Sequence, residues 1–290
     1  MSRPVVLALP GNETLAGQLA AAAGAELGVL ESRRFPDGET YLRLRSDVGG
    51  REVTLVCTLA DPDPQVLRLI FAARTAREHG AARITLVAPY LAYMRQDKAF
   101  QEGEAVTSVQ FAALISAEID RLITVDPHLH RHKTLGEIYT VPAEALHAAP
   151  LLSSWVQAHV AEPLFVGPDS ESAQWAGAIA AGAPAVVLRK ERSGDRAVEI
   201  SFPDLAPYAG RQPVLVDDIA SSGRTLVKAC QGLTQRGFPR PVCVVVHPLF
   251  AGDGFDQLRA VSSQVVSTDS VPHPSNAISV AALLAGGLRD

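Results

Sequence analysis

The sequence predicts an α/β protein of two similar halves, each a mainly parallel sheet flanked by helices. Two observations support this fold class. Short runs rich in valine, isoleucine and leucine alternate with longer segments of helical periodicity along the 290 residues, an alternation typical of parallel sheets covered on both faces. Short segments also recur about half a chain apart, which indicates that one fold occurs twice.

Strands and helices are expected to alternate along the whole chain. The runs that predict strands are apolar and are bounded by glycine, proline or polar clusters: Val5–Leu9, Glu39–Arg45, Val53–Leu59, Ile84–Ala88, Leu122–Val125, Leu164–Val166, Ala185–Leu188, Val198–Ser201, Val214–Val216, Val242–Val246 and Gln264–Thr268. The segments that predict helices have apolar residues every three or four positions: Thr14–Ala23, Pro64–His79, Ser108–Glu118, Ala143–Val160, Ser172–Ala181, Thr225–Arg236 and Ala277–Leu284.

Three pairs of segments carry the internal repetition. They align at offsets of 160, 158 and 157 residues: Gly50–Thr58 with Gly210–Asp218, Pro10–Glu13 with Pro168–Glu171, and Gly80–Arg83 with Gly237–Arg240. The boundary between the halves is expected near Val141–Pro142, which gives domains of residues 1–142 and 143–290. The halves differ in chemistry, because the second carries Asp217–Asp218 where the first carries Cys57–Thr58.

Composition excludes several classes of protein. The formal net charge of −5 argues against a general nucleic-acid binder, which normally carries a basic excess, although a few local cations and backbone N–H groups suffice for phosphate. Three cysteines are too few for a disulfide framework and fit a reducing compartment. No run is long and apolar enough to span a membrane, and the first residues make a poor signal peptide. A cytoplasmic protein is expected, without membrane or nucleic-acid partners.

The segment Val214–Leu226 carries the strongest chemical signal. An apolar strand ends in Asp217 and Asp218, and a short loop of serine and glycine then leads into a helix. Ligands of open α/β sheets bind beyond the carboxyl ends of strands, and the N–H groups at a helix N-terminus suit a phosphate. Two adjacent carboxylates suit sugar hydroxyls or Mg²⁺. The plainer alternative is an ordinary strand–helix turn with a serine N-cap.

This segment resembles the phosphoribosyl-pyrophosphate-binding loop of type I phosphoribosyltransferase-like proteins, and further landmarks narrow the resemblance to the ribose-phosphate pyrophosphokinase family. The landmarks run in family order over nearly the whole chain: Arg34–Glu39, Pro89–Lys98, Thr124–His128, Gly167–Asp169, Lys190–Arg192 and Val214–Leu226. The segment Lys98–Glu104 looks more like the short archaeal-type branch.

The resemblance implies two phosphoribosyltransferase-like domains, an N-terminal one on the ATP side and a C-terminal one that binds ribose phosphate. It implies a Mg²⁺-dependent transfer of the diphosphoryl group of ATP to the C1 hydroxyl of ribose 5-phosphate. The products would be 5-phosphoribosyl 1-pyrophosphate and AMP. It also implies a homodimer or a higher homo-oligomer.

Site residues follow from the resemblance only where the motif matches. Those matched to ribose 5-phosphate binding are Asp217, Asp218, Ser221, Ser222, Gly223, Arg224 and Thr225. Those matched to ATP binding are Phe35, Asp37, Glu39, Arg95 and Gln96. His128 and Asp169 match Mg²⁺ ligands, and Lys190 and Arg192 match the catalytic cations. Cations suit this chemistry because phosphoryl transfer depends on positioning and on stabilising charge.

Each of these motifs also has a plainer structural interpretation. Pro36–Gly38 favours a strand–turn–strand, Arg95–Gln96 fits a solvated loop, and Arg189–Arg196 fits a charged hairpin tip. The run Asp126–His132 has alternate histidines that would share one face of a strand. Pro127 disfavours a regular strand there and no cysteine is near in sequence, so zinc is not expected.

The chain departs from the family pattern in two places. In the phosphate loop Ser221 replaces an acid and Arg224 replaces a glycine; an arginine is tolerated there if its φ is negative, and could then add a phosphate contact. After Asp169, Ser170–Ser172 replaces a glycine-rich turn and brings Glu171 near the expected phosphate region.

These departures keep other functions open. A non-catalytic regulatory or phosphoribosyl-ligand-binding relative is disfavoured by the retained Lys190 and Arg192. A phosphoribosyltransferase acting on a base is disfavoured by the ATP-side landmarks of the first half. The same diphosphoryl transfer to another sugar phosphate stays open.

Overall fold

The chain folds as two units in the computed structural model, which describes residues 3–129, 131–169, 172–180, 182–193 and 197–289. The first unit is formed by the residues up to His147 together with the segment from Val280 onward, and the second by Ala148–Ser279. In these ranges, no helix has the length and apolar character needed to cross a membrane.

Strands and helices alternate as the sequence predicts. The strands are β1 (Val5–Ala8), β2 (Glu26–Leu27), β3 (Leu30–Arg34), β4 (Thr40–Leu44), β5 (Glu52–Val56), β6 (Arg83–Ala88), β7 (Arg121–Val125), β8 (Ala143–Leu146), β9 (Pro163–Gly167), β10 (Ala185–Val187), β11 (Arg189–Ser193), β12 (Ala197–Ser201), β13 (Gln212–Ala220), β14 (Val242–Pro248), β15 (Gln264–Thr268) and β16 (Asn276–Ile278). The α-helices are α1 (Glu13–Ala23), α2 (Asp63–Glu78), α3 (Thr107–Ser116), α4 (Ala149–His159), α5 (Ala173–Ala180), α6 (Arg224–Gln235), α7 (Gly254–Val261) and α8 (Ala281–Gly287).

A parallel sheet with the strand order β2-β1-β5-β6-β7-β8 forms the centre of the first unit. Strands β1, β5 and β6 are nearly continuous buried apolar runs, because helices cover both faces of such a sheet. Helix α2 buries Leu69 and three alanines against this core. Strands β3 and β4 stand apart as an antiparallel hairpin.

The second unit repeats this arrangement. Its parallel sheet has the order β10-β9-β13-β14-β15-β16, and β11 and β12 form a separate antiparallel hairpin. In each sheet the second strand lies on one side of the first strand, and the later strands of that sheet lie on the other. Strands β5 and β13, which belong to the segments that align at an offset of 160 residues, take the same place in the two sheets. The predicted fold class of two similar α/β halves is confirmed.

Two predictions of local structure are wrong. The sequence predicts one helix over Ala143–Val160, but the first residues of this range are β8 and only Ala149–His159 is helical. Residues 143–146 are good helix formers, yet parallel pairing with β7 overrides that local preference. The sequence also predicts a helix over Ala277–Leu284, but its first two residues belong to β16, which pairs with β15, and the helix begins only at Ala281. Residues 143–147 and the last helix therefore lie with the first unit, whereas the sequence places them beyond the boundary.

Candidate functional site

The acidic pair of the strongest motif lies at a topological switch point. In the second unit β10 lies on one side of β9 and β13 lies on the other, so the loops after β9 and β13 diverge. Open α/β sheets bind ligands where loops diverge in this way. Asp169 follows β9, and Asp217 and Asp218 lie on the last part of β13. Three of the predicted site residues therefore lie at the carboxyl ends of two neighbouring strands of the second sheet.

These three carboxylates influence one another. Burial raises the pKa of the Asp217 carboxyl well above its ordinary value, and the negative charges of Asp218 and Asp169 raise it further. The N–H of Asp218 donates to Asp217 Oδ1 at 3.1 Å, and the N–H of Ile219 donates to Asp218 Oδ1 at 2.8 Å. The backbone thus fixes both side chains. A ligand that supplies hydroxyl donors or a positive charge would relieve the repulsion.

The turn after β9 holds Asp169 through Ser172. The N–H of Ser172 donates to Asp169 Oδ1 at 3.2 Å, and the Ser172 hydroxyl donates to the Asp169 carbonyl at 2.6 Å. A Cβ on Gly167 would lie 2.7 Å from Ser172 Oγ, so the turn passes close to the strand only because Gly167 has no side chain. Ser170 and Glu171, which replace the expected glycine-rich turn, lie outside the described residues.

Two glycines in contact support the loop after β13. Gly223 has a φ of +69°, and a Cβ there would lie 3.1 Å from the carbonyl oxygen of Gly254. A Cβ on Gly254 would lie 2.5 Å from the carbonyl oxygen of Ser222. Both positions therefore require glycine. Gly254 could not be predicted from the sequence, because its contact with Gly223 joins segments far apart in the chain and leaves no local pattern.

Arg224 begins α6 with a helical backbone. Positive φ among the described non-glycine residues is confined to Tyr93, Asp126, Glu162 and Phe250, so the condition under which arginine is tolerated at this position is met. No side chain caps α6, and its first turn holds no acidic residue. Arg224 and Ser222 are exposed, and Ser221 and Thr225 are partly exposed. A cation at a helix N-terminus is opposite to the usual preference, and together with the N–H groups there it suits an anion.

Lys190 and Arg192 lie on the hairpin of β11 and β12. In the antiparallel register Lys190 pairs with Ile200 and Arg192 pairs with Val198. The two residues are two positions apart on β11. Residues 194–196 lie outside the described residues. The backbone is therefore the charged hairpin of the plainer interpretation, and the catalytic role of the two cations stays a prediction.

Phe35, Asp37 and Glu39 lie on the exposed turn between β3 and β4. The N–H of Phe35 donates to the Glu39 carbonyl at 2.8 Å, and the N–H of Glu39 donates to Asp37 Oδ1 at 3.2 Å. Phe35 is 39% exposed, and the guanidinium of Arg33 lies 4.8 Å from the centre of its ring. The predicted strand–turn–strand is formed, and it leaves an aromatic face and two carboxylates accessible.

Arg95 and Gln96 lie in the loop that follows β6, where Arg95 is exposed. The Gln96 carbonyl accepts the N–H of Ser108, the second residue of α3, at 3.3 Å. The neighbouring Asp97 is buried, and its Oδ1 accepts a hydrogen bond from Arg131 Nη1 at 2.5 Å. This ion pair joins residues 34 positions apart and leaves no local pattern in the sequence, and it links the loop to the segment after β7.

His128 follows β7 in the first unit and is partly exposed. The preceding Asp126 has a φ of +38° and bonds His147 Nδ1 at 2.8 Å. His132 instead bonds Glu137 at 3.1 Å, and His130 lies outside the described residues. Among the residues that are described, no three or more His, Cys, Asp or Glu side chains are grouped to hold a metal ion.

The side chains nevertheless fit Mg²⁺. This ion usually keeps several waters and binds through one or two carboxylates and substrate phosphates, so a complete protein cage is not required. The negative charge of Asp169 raises the pKa of Asp217, and carboxylate oxygens such as those of Asp169 are hard donors of the kind that this ion prefers.

Comparisons with known proteins agree with this arrangement over both units. Residues 5–118 match the N-terminal domain of ribose phosphate pyrophosphokinase, and residues 134–280 match the phosphoribosyl transferase domain. The ribose-phosphate pyrophosphokinase of Methanopyrus kandleri is 35% identical over 96% of both chains. That of Halobacterium salinarum is 33% identical over 98% of this chain and 100% of the relative.

A solved structure shares the fold. The phosphoribosylpyrophosphate synthetase from Mycobacterium smegmatis superposes with a TM-score of 0.85 over 99% of this chain and 98% of the other, at 23% identity. The two family domains, the archaeal relatives and the common fold together show that the chain belongs to the ribose-phosphate pyrophosphokinase family.

Proposed function

We propose that the protein transfers the diphosphoryl group of ATP to the C1 hydroxyl of ribose 5-phosphate, with Mg²⁺, and releases 5-phosphoribosyl 1-pyrophosphate and AMP. The observation that supports this most is the set of carboxylates at Asp169, Asp217 and Asp218 beside the uncapped start of α6. Ribose 5-phosphate carries the matching groups, hydroxyl donors at one end and a phosphate at the other. The names of the archaeal relatives support the same activity.

The second unit binds the sugar phosphate in this proposal. Asp217 and Asp218 accept hydrogen bonds from the 2- and 3-hydroxyls, which lowers the repulsion between their charges. The phosphate is bound by the loop and first turn at Ser221, Ser222, Gly223, Arg224 and Thr225. Backbone N–H groups of the first turn of α6 supply donors, and the exposed guanidinium of Arg224 supplies a fork that matches phosphate oxygens.

The first unit binds ATP. The exposed ring of Phe35 stacks on the base, since an aromatic face attracts a second ring. Asp37 and Glu39 on the same turn accept hydrogen bonds from the exocyclic amine of the base or from the ribose hydroxyls of ATP. Arg95 and Gln96 contact the nucleotide from the loop that Asp97 and Arg131 hold in place.

His128 and Asp169 are proposed as ligands for Mg²⁺. When bound, Mg²⁺ supplies positive charge to the phosphate oxygens. Lys190 and Arg192 on β11 supply further positive charge, which stabilises the transferring group.

The bonds that change define what the residues must do. The C1 oxygen forms a bond to the β-phosphorus, and the bond from that phosphorus to the α-phosphate oxygen breaks, so AMP leaves with that oxygen. The C1 hydroxyl loses its proton, which is released to water. Holding the sugar at both ends places C1 in one orientation, and such positioning is a large part of the rate gain in transfers of this kind.

We also propose a homodimer or a higher homo-oligomer in the cytoplasm. The resemblance supports the assembly. The location is supported by Cys57, Cys230 and Cys243, which are free and buried and fit a reducing compartment.

Product analysis tests the proposed reaction. Purified protein with ATP, Mg²⁺ and ribose 5-phosphate is expected to form AMP, measured by chromatography. Ribose without the phosphate, or no sugar, is expected to give none, because the loop at Ser221–Thr225 recognises the phosphate. Folded protein that binds ATP but forms no AMP would contradict the proposal and favour a non-catalytic relative or another sugar phosphate.

Lys190→Ala tests the catalytic hairpin. Loss of one cation from the transition state is expected to lower kcat about 100-fold or more, while the Kd for ATP changes little. Arg189→Ala is the control, because it removes an exposed arginine from the neighbouring position of the same strand, which matches neither catalytic cation. An unchanged kcat for Lys190→Ala would remove this residue from the mechanism.

Asp217→Asn tests the crowding of the carboxylates. The folded protein raises the pKa of Asp217, whereas an unfolded aspartate has a pKa of about 3.9. The folded state therefore binds the proton more tightly, and wild-type stability falls as the pH rises from about 4 through the raised pKa. Asparagine removes this loss while its Oδ1 still accepts the N–H of Asp218.

We expect Asp217→Asn to be more stable than the wild type at pH 7 in urea unfolding without metal, and to bind ribose 5-phosphate about tenfold or more weakly by calorimetry. Asp256→Asn is the control, because Asp256 is exposed on α7. A variant less stable at pH 7 with unchanged affinity would show that the Asp217 charge has neither effect.

A further inference from the structure

An aromatic cluster lies next to the segment that supports the phosphate loop. The cluster consists of Phe250, Phe255 and His273. The Phe250 ring centre is 5.2 Å from that of Phe255 and 5.0 Å from that of His273, and the rings of Phe255 and His273 meet edge to face at 4.5 Å. Each of the three rings therefore contacts the other two.

Phe250 has a strained backbone. Its φ is +35°, a conformation that bulky residues rarely adopt and that persists only where the surroundings enforce it. Two restraints are visible. The N–H of Phe250 donates to the carbonyl of Ala220 at 2.8 Å, and the side chain is only 8% exposed within the cluster.

This backbone joins two loops. The support loop, residues 249–253 between β14 and α7, contacts the phosphate loop, residues 221–223. The N–H of Ala251 donates to the carbonyl of Ser221 at 2.8 Å, and Gly254 follows directly and lies against Ser222 and Gly223. The position of the phosphate loop therefore depends on the conformation of the support loop.

His273 is held from a different part of the unit. The backbone N–H of His273 donates to Asn276 Oδ1 at 2.8 Å, and its imidazole Nδ1 bonds Ser275 Oγ at 2.7 Å. Ser275 Oγ in turn bonds Ser267 Oγ on β15 at 2.7 Å. These hydrogen bonds link the imidazole to β15, and the ring of Phe250 packs against the imidazole.

We propose that Phe250, Phe255 and His273 are positioning residues for the phosphate of the sugar substrate. The rings of Phe255 and His273 keep Phe250 in its strained conformation. The support loop then holds the phosphate loop in the conformation in which its N–H groups face the phosphate. The identity of the ligand rests on the proposed function, whereas the link between the cluster and the loop does not. Without the imidazole of His273, Phe250 relaxes towards negative φ, and the contacts of the support loop with Ser221 and Gly223 loosen.

Three variants test this. His273→Ala removes the ring that Phe250 packs against, and His273→Phe restores a ring without the hydrogen bond to Ser275 Oγ. His159→Ala is the matched control, because His159 stacks on Trp155 at 4.4 Å elsewhere in the second unit. Should His273→Ala not fold, Phe255→Leu, which removes a ring and keeps apolar volume, takes its place.

Two measurements are made on each protein. Hydrogen exchange of the amides at 221–225 is followed without ligand, and the Kd values for ribose 5-phosphate and for ATP are determined by calorimetry. In His273→Ala we expect exchange about tenfold faster and a Kd for ribose 5-phosphate about tenfold higher, the change expected for two lost ring contacts. The Kd for ATP is expected to stay within about twofold, and His273→Phe and His159→Ala are expected to resemble the wild type.

The outcomes separate this inference from the proposed function. Unchanged exchange at 221–225 in His273→Ala would overturn the inference, even if the melting temperature falls. Equal loosening in His159→Ala would overturn it as well, because the effect would then be general. A wild-type protein that binds no ribose 5-phosphate would overturn the proposed function, and the exchange comparison would still decide whether the cluster positions the loop.

Discussion

The repulsion among three carboxylates at one sheet edge is the constraint on which the second unit depends. Asp169 and the pair Asp217–Asp218 come from the two strands that diverge at the switch point, and burial together with their charges raises the pKa of Asp217. Buried charges of one sign cost stability unless a partner compensates them. The three carboxylates attract hydroxyl or cationic groups. The first turn of α6, next to them in the chain, favours anions and attracts a phosphate.

The first unit has the same strand order with different chemistry. Asn12 follows β1 and is buried; its Oδ1 accepts the N–H of Thr58 at 2.8 Å, and its Nδ2 donates to the carbonyl of Leu9 at 3.2 Å. A neutral amide therefore links the ends of β1 and β5 at the switch point where the second unit has carboxylates. The repeated backbone keeps the loop geometry, and the side chains at equivalent places decide whether that point is closed by hydrogen bonds or left for a ligand.

Sequence reasoning succeeded where the signal is local. The apolar runs of β1, β5, β13 and β14 and the acid–loop–helix segment at Asp217–Thr225 are each contained in a few consecutive residues. It failed for β8, where pairing with β7 overrides helical preference. It also missed Gly254 and Phe250, because their contacts with the phosphate loop join distant segments. The nearness of Asp169 to Asp217 could be expected only once the strand order was known.

The most direct measurement is a crystal structure of the protein with ribose 5-phosphate. We expect the phosphate oxygens at hydrogen-bond distance, about 3 Å, from N–H groups of the segment Ser221–Thr225. The 2- and 3-hydroxyls are expected to face Asp217 and Asp218. A sugar phosphate bound in the first unit, or one whose hydroxyls point away from both acids, would contradict the assignment of this part of the second unit as the substrate site.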